Sequence, residues 1–260
     1  MLTAEQVLAT IRQAHAERAA RLDLGWQDIA ELPPEIGALE HLQSLSLRNN
    51  RLTQLPASIG RLRHLQLLTL DNNQLTALPN GFWQLTALTS LDVTGNGITA
   101  LSAELGQLRL LQSIMLHGNA ITALPAEIGL LDKVYHLSLG NNRLSGLPSE
   151  IGNLVAAREL FLQNNQLRAL PGSIGRMLRL ERIFLQNNQL CKLPDAIHEL
   201  RHLRLLDLRA NPGPFPAIIG HLKKQGSGVY IPQSAPDLPQ HISAREPWEI
   251  DLYLRKENPG

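Results

Sequence analysis

Apolar residues recur along most of this chain in one frame, Leu-x-x-Leu-x-Leu-x-x-Asn-x-Leu-x-x-Leu-Pro-x-x-Ile-Gly-x-Leu. Over one short run they alternate with polar residues, as in Leu45/Leu47, Leu68/Leu70, Leu137/Leu139 and Leu206/Leu208, which is the period-two signature of a strand. The frame is pinned by Asn50, Asn73, Asn96, Asn119, Asn142, Asn165, Asn188 and Asn211, each 23 residues after the one before. A spacing held without a slip specifies a stack of equivalent coils. No coil can bury its leucines alone, so each strand must lie beside the next in a parallel sheet. The pattern therefore predicts an α/β solenoid: a right-handed superhelix with a concave parallel β-sheet and an irregular convex side.

The chemistry of each coil follows from its fixed residues. An asparagine at the end of a strand offers two donors and an acceptor, which suits a turn whose backbone groups would otherwise be buried unpaired. The Leu-Pro-x-x-Ile-Gly segment forms the outer side, with Pro at an extended or first-turn position and Gly at a left-handed turn exit. Ser102 in place of Pro, and Trp83 and His198 in place of Gly, are expected to cost little on an exposed outer edge. Thr3 with Gln6 three residues on predicts a capped helix to about Arg18, whose face of Val7, Leu8, Ile11 and Ala14 covers the first coil. The domain reading is a capping helix over 1–20, a solenoid of about nine repeats over 21–222, and a C-terminal cap or tail over 223–260. The first repeat is degenerate, with Gln27 where Asn belongs, and the last, around Asn211, is irregular. The tail has an extended piece at Val229–Ile231 and a short helix from Pro247. Nine strands at about 4.8 Å spacing make an inner sheet roughly 38 Å long.

Composition narrows the classes. Apolar residues are 43% of the chain but aromatics only 4%, so Leu, Ile and Val must build the core. A net charge of +1 argues against a nucleic-acid binder, which needs a concentrated basic face. Cys191 is the single cysteine, so no internal disulfide forms. The first twenty residues lack the apolar run of a signal peptide, and no stretch is long enough to span a membrane. The expected location is cytoplasmic, and the expected state a monomer.

The frame resembles the intracellular 23-residue, Leu-Pro-x-x-Ile-Gly type of leucine-rich-repeat protein, found in Ras-group repeat proteins and in the repeat domains of bacterial Roco GTPases. The run RLDLGWQDIAELPPEIGAL after the first helix is similar to the start of bacterial Roco repeat domains. What the resemblance implies is protein–protein binding on the concave face, in a scaffolding or regulatory role, with a small GTPase or signalling protein as the kind of partner. No G-x-x-x-x-G-K-[ST] loop occurs, so a GTPase would have to be a partner or a separate domain. The alternatives are the regulatory portion of a larger Roco-like protein and a bacterial effector that binds a host protein.

Because coils stack in register, equivalent positions form rows across the sheet. The row four residues before each Asn holds Met115, Phe161, Phe184 and Asp207; two before are His117, Gln163, Gln186 and Arg209; six before are His136, Glu159 and Arg182. Phe161 and Phe184 are adjacent and expected to face solvent, ringed by charged and amide residues, the anatomy of a binding patch. The competing reading is that they stack on each other and stabilise the sheet. A basic excess in this half, offset by Glu181, Asp195 and Glu199, fits a solvated face.

The chain carries no pattern for catalysis, cofactor or metal. His117 and His136 stand on neighbouring strands, but roughly 14 Å apart by register, too far for one ion. His41, His64 and His202 recur nine before their Asn, on an outer edge. No nucleophile elbow is present. Cys191 stands where Thr53, Thr76, Thr99, Thr122 and Ser145 stand in other repeats, a tolerated replacement.

Overall fold

The computed structural model describes residues 1–215 and the strand at Gly228–Tyr230. The chain opens with the capping box: the Gln6 N–H donates to Thr3 Oγ1 at 3.2 Å and the Thr3 N–H to Gln6 Oε1 at 2.8 Å. This starts α1 (Ala4–Ala16), which buries Val7, Ile11 and Ala14 against the first coil and leaves Leu8 half-buried. Ten three-residue strands follow: β1 (Arg21–Asp23), β2 (Ser44–Ser46), β3 (Leu67–Thr69), β4 (Ser90–Asp92), β5 (Ser113–Met115), β6 (His136–Ser138), β7 (Glu159–Phe161), β8 (Arg182–Phe184), β9 (Leu205–Asp207) and β10 (Gly228–Tyr230). They form one parallel sheet in sequence order. Register is kept throughout, so Leu45 faces Leu68, Leu68 faces Leu91, and Leu160 faces Ile183.

Between strands the chain returns through five-residue 3-10 helices, from Pro34–Ala38 to Asp195–Glu199. An extended Pro precedes nearly every one, and Ser102 takes its place before Ala103–Gln107 by accepting the Glu104 N–H at 3.2 Å. Leu, Ile and Val side chains of all coils merge into a single column of core. The architecture is the one the frame predicted, including the N-terminal helix.

Three local readings need correction. The glycines of the Ile-Gly step are not left-handed; among the described residues, glycine φ is positive only at Gly95 and Gly118. They are small because the next coil passes directly over them. A Cβ on Gly60 would stand 2.1 Å from the Gly81 carbonyl oxygen, and one on Gly152 2.2 Å from that of Ser173. The left-handed residue instead immediately precedes each ladder position: Trp26, Asn49, Asn72, Gly95, Gly118, Asn141, Asn164, Asn187 and Ala210. Asn and Gly pay least for that conformation, which explains their dominance there.

Trp83 is likewise not on an exposed edge. It is buried, edge-on to Phe82 with ring centroids 5.3 Å apart, and His198 is half-buried. An indole in the place of a close-approach glycine keeps Asn80–Gln84 from packing on Ala103–Gln107 as closely as the other neighbouring 3-10 helices pack.

At the far end, β10 pairs with β9, Val229 opposite Leu206, where the sequence placed an extended piece. The solenoid boundary at 222 and the helix from Pro247 lie outside the described residues.

Candidate functional site

The row of asparagines joins consecutive coils. Nδ2 of Asn142 donates to the carbonyls of Leu139 at 3.1 Å and Gly140 at 3.1 Å in its own coil, and to Leu116 of the preceding coil at 2.9 Å. Its Oδ1 accepts the Ile121 N–H at 3.0 Å. The same set recurs from Asn50, which bonds Leu24, Leu47 and the Ile29 N–H, through Asn73, Asn96, Asn119, Asn165 and Asn188 to Asn211, which bonds Leu185, Leu208 and the Leu190 N–H. Every donor and acceptor of the amide is used, so these residues are structural. Asn96 and Asn119 are half-buried and the other six are buried. The two exceptions follow Gly95 and Gly118, where no side chain covers them.

On the concave face the residues of β6, β7 and β8 form one cluster. His136 Nδ1 lies 2.8 Å from Glu159 Oε2, and the other oxygen of Glu159 pairs with Arg182. The three side chains are about four-fifths buried. Burial, and then the Arg182 guanidinium, hold the His136 imidazole below its ordinary pKa. The ring is therefore neutral at neutral pH, its Nδ1–H donating to Glu159.

The His136 ring leans on Phe161 with centroids 5.1 Å apart, and Phe161 stacks on Phe184 at 4.7 Å with planes 6° apart. The sequence reading had these rings facing solvent. They do lie on the concave side, outside the leucine column, but Phe161 is only 7% exposed and Phe184 1%. The cause is geometric. Strand spacing of about 4.8 Å sets the two rings 4.7 Å apart, so each covers one face of the other, while His136 screens one end and Asp207, in register with Phe184, adjoins the other. Exposed aromatic anchors are thus replaced by an aromatic floor.

Asp207 is itself 2% exposed and takes both the Nε of Arg209, at 2.9 Å, and its Nη2, at 2.5 Å. Gln163 is 2% exposed because it fills the space over Gly140, where a Cβ would stand 2.4 Å from its Nε2. Neither polar atom of its amide meets a protein partner there, and Gln186 Oε1 is in the same position. Met115 is half-buried and separated from Phe161 by Ser138. His117 turns away from His136 and meets the Asn141 amide at 2.9 Å. Among the described residues no group of three metal-binding side chains comes together.

Two features were missed from the sequence. The left-handed asparagines form a second, exposed ladder: Asn72 donates to Asn49 at 3.1 Å, Asn164 to Asn141 at 2.5 Å and Asn187 to Asn164 at 2.6 Å. Its signal was the Asn-or-Gly position just before each pinned asparagine. The edge histidines also have a role, since the rings of His64 and His202 each meet a carbonyl of the preceding coil, Glu40 and Leu178, at 2.9 Å. In the N-terminal half of the sheet, burial and the neighbouring Asp92 carboxylate push the Asp71 carboxyl above its ordinary pKa. The Gly25 N–H, which donates to Asp23 Oδ1 at 2.9 Å, holds the Asp23 carboxyl below it.

Comparison with known proteins agrees with this geometry. Residues 21–96 match a family model described as a leucine-rich repeat region, and residues 109–167 and 158–212 match a leucine rich repeat model. No curated protein matches the chain. Among solved structures, a leucine-rich-repeat protein of Leptospira interrogans is 34% identical with a TM-score of 0.72, over 82% of this chain and 61% of that one. A plant peptide hormone receptor in complex with its peptide is 30% identical with a TM-score of 0.68, over 78% of this chain and 35% of the receptor. The leucine-rich effector YopM of Yersinia pestis is 28% identical with a TM-score of 0.65, over 91% of this chain and 62% of the effector. This chain therefore spans less than two thirds of the length of each.

Proposed function

Because the chain is a leucine-rich-repeat protein, of a fold whose typical role is protein–protein interaction, we propose that it is a non-enzymatic binding module. Its partner is another protein, held on the C-terminal half of the concave sheet, and its role is that of a scaffold or regulator. One observation carries this reading: His136, Glu159 and Arg182 form a linked polar cluster over an aromatic floor, on the outer side of the sheet rather than in its core. A surface preassembled in this way loses little conformational freedom on binding. With Phe161 and Phe184 covered, direct contact falls to Arg182, Glu159, His136, Gln186 and Arg209. The sheet across four or five strands is large enough for the roughly 800 Å² per partner of an ordinary specific interface.

The test begins with a partner recovered and identified by affinity capture, then measured with purified protein. Arg182→Ala is expected to weaken binding by about 2 kcal/mol or more, the usual hot-spot threshold. Arg48→Ala, on the exposed N-terminal half, is expected to leave it unchanged. Equal effects from both variants would move the interface elsewhere. The likeness to the Yersinia effector supports a second reading, in which the same surface binds a host protein. The regulatory portion of a larger Roco-like protein is a third role for the same surface.

A further inference from the structure

We propose a second interaction surface, on the flank where each coil turns into its strand, that docks on an anionic lipid membrane. This flank is built by residues 130–135, 153–158, 176–181 and 199–204, equivalent segments of four consecutive coils. Its residues are held in columns. The Arg158 N–H donates to Tyr135 at 2.9 Å, the Glu181 N–H to Arg158 at 2.8 Å and the Arg204 N–H to Glu181 at 2.7 Å.

Four of the eight large apolar side chains exposed among the described residues stand here. Leu130 is 42% exposed, Tyr135 45%, Val155 53% and Leu178 55%. Val155 and Leu178 occupy the same position of adjacent coils and so project side by side, where the flanking coils carry Asp132 and Arg201.

Charge gives the surface its partner. Six cations, Lys133, Arg158, Arg176, Arg179, Arg201 and Arg204, stand on these segments against three anions, Asp132, Glu181 and Glu199. One anion is engaged within the flank, where Glu181 accepts from Arg158 at 3.0 Å. A net positive flank on a chain of net charge +1 is a local concentration, not a general property. Here Val155 and Leu178 stand side by side, with Arg158, Arg176, Arg179 and Arg201 on the same or adjoining segments. That arrangement suits a lipid interface, where cations meet anionic headgroups while neighbouring apolar side chains enter the acyl boundary.

Sedimentation with sucrose-loaded vesicles tests the proposal, using phosphatidylcholine alone and phosphatidylcholine mixed two to one with phosphatidylserine. The protein is expected to bind the mixed vesicles, with little binding to the neutral ones. Val155→Asn with Leu178→Asn, and separately Arg179→Glu with Arg201→Glu, are each expected to reduce that binding at least about tenfold. All four side chains are exposed, so circular dichroism and melting temperature should stay at wild-type values. Wild-type protein that ignores mixed vesicles overturns the proposal, and capture by soluble polyglutamate instead would assign the flank to an acidic protein. Binding that survives the Val155/Leu178 change also overturns it, because charge alone would then be acting.

Discussion

A single asparagine amide after each of β2 to β9 bonds groups of two coils at once, which makes the loss of any one of them costly. Asn142→Ala leaves the Ile121 N–H and the carbonyls of Leu116 and Leu139 without their partner, at an expected cost of about 3 kcal/mol. Asn119 makes the same bonds but is half-buried, so water can replace part of them, and Asn119→Ala is expected to cost about 1 kcal/mol less. Urea unfolding of both variants checks the order, and equal losses would deny that burial sets the difference. This row was legible because one residue type is required by one bonding pattern. The state of Phe161 and Phe184 was not, because their burial is decided by rings 23 residues away and by His136, not by their own alternation.

In the outer elements, glycine decides how closely successive 3-10 helices approach. Gly152→Ala drives a methyl group into the Ser173 backbone and is expected to destabilise by about 1–3 kcal/mol, the usual cost of overpacking. Gly172→Ala meets nothing within 4 Å and is expected to change stability by less than about 0.5 kcal/mol. Calorimetry on the pair separates close approach from backbone conformation, since neither glycine has a positive φ. Sequence located the outer segment in the frame through Pro and Ile-Gly, but not the 3-10 helix that each such segment forms. It could not say which property of glycine was in use, because a left-handed turn and a tight crossing select the same residue. The capping helix was clearer, as Thr3 and Gln6 form a local motif independent of the rest.

Over the whole molecule, three departures from the repeat coincide near β4 and β5. Trp83 replaces a close-approach glycine, Gly95 and Gly118 interrupt the exposed ladder, and Asn96 and Asn119 are less buried than their equivalents. In a stack whose coils contact only their neighbours, such a place is where the molecule parts first. The amides of Val93 and Gly95, bonded across it to Met115 and His117, are expected to exchange hydrogen faster than those of Leu139 and Asn141. Uniform protection along the sheet would remove this weak seam. The asparagine row also gives the stack a direction. The turn of one coil is completed by an amide supplied 21 residues later, as Ile29 is by Asn50 and Leu190 by Asn211. On a ribosome, then, the newest coil would always wait unfinished for its successor, and order would advance along the nascent chain one coil behind synthesis.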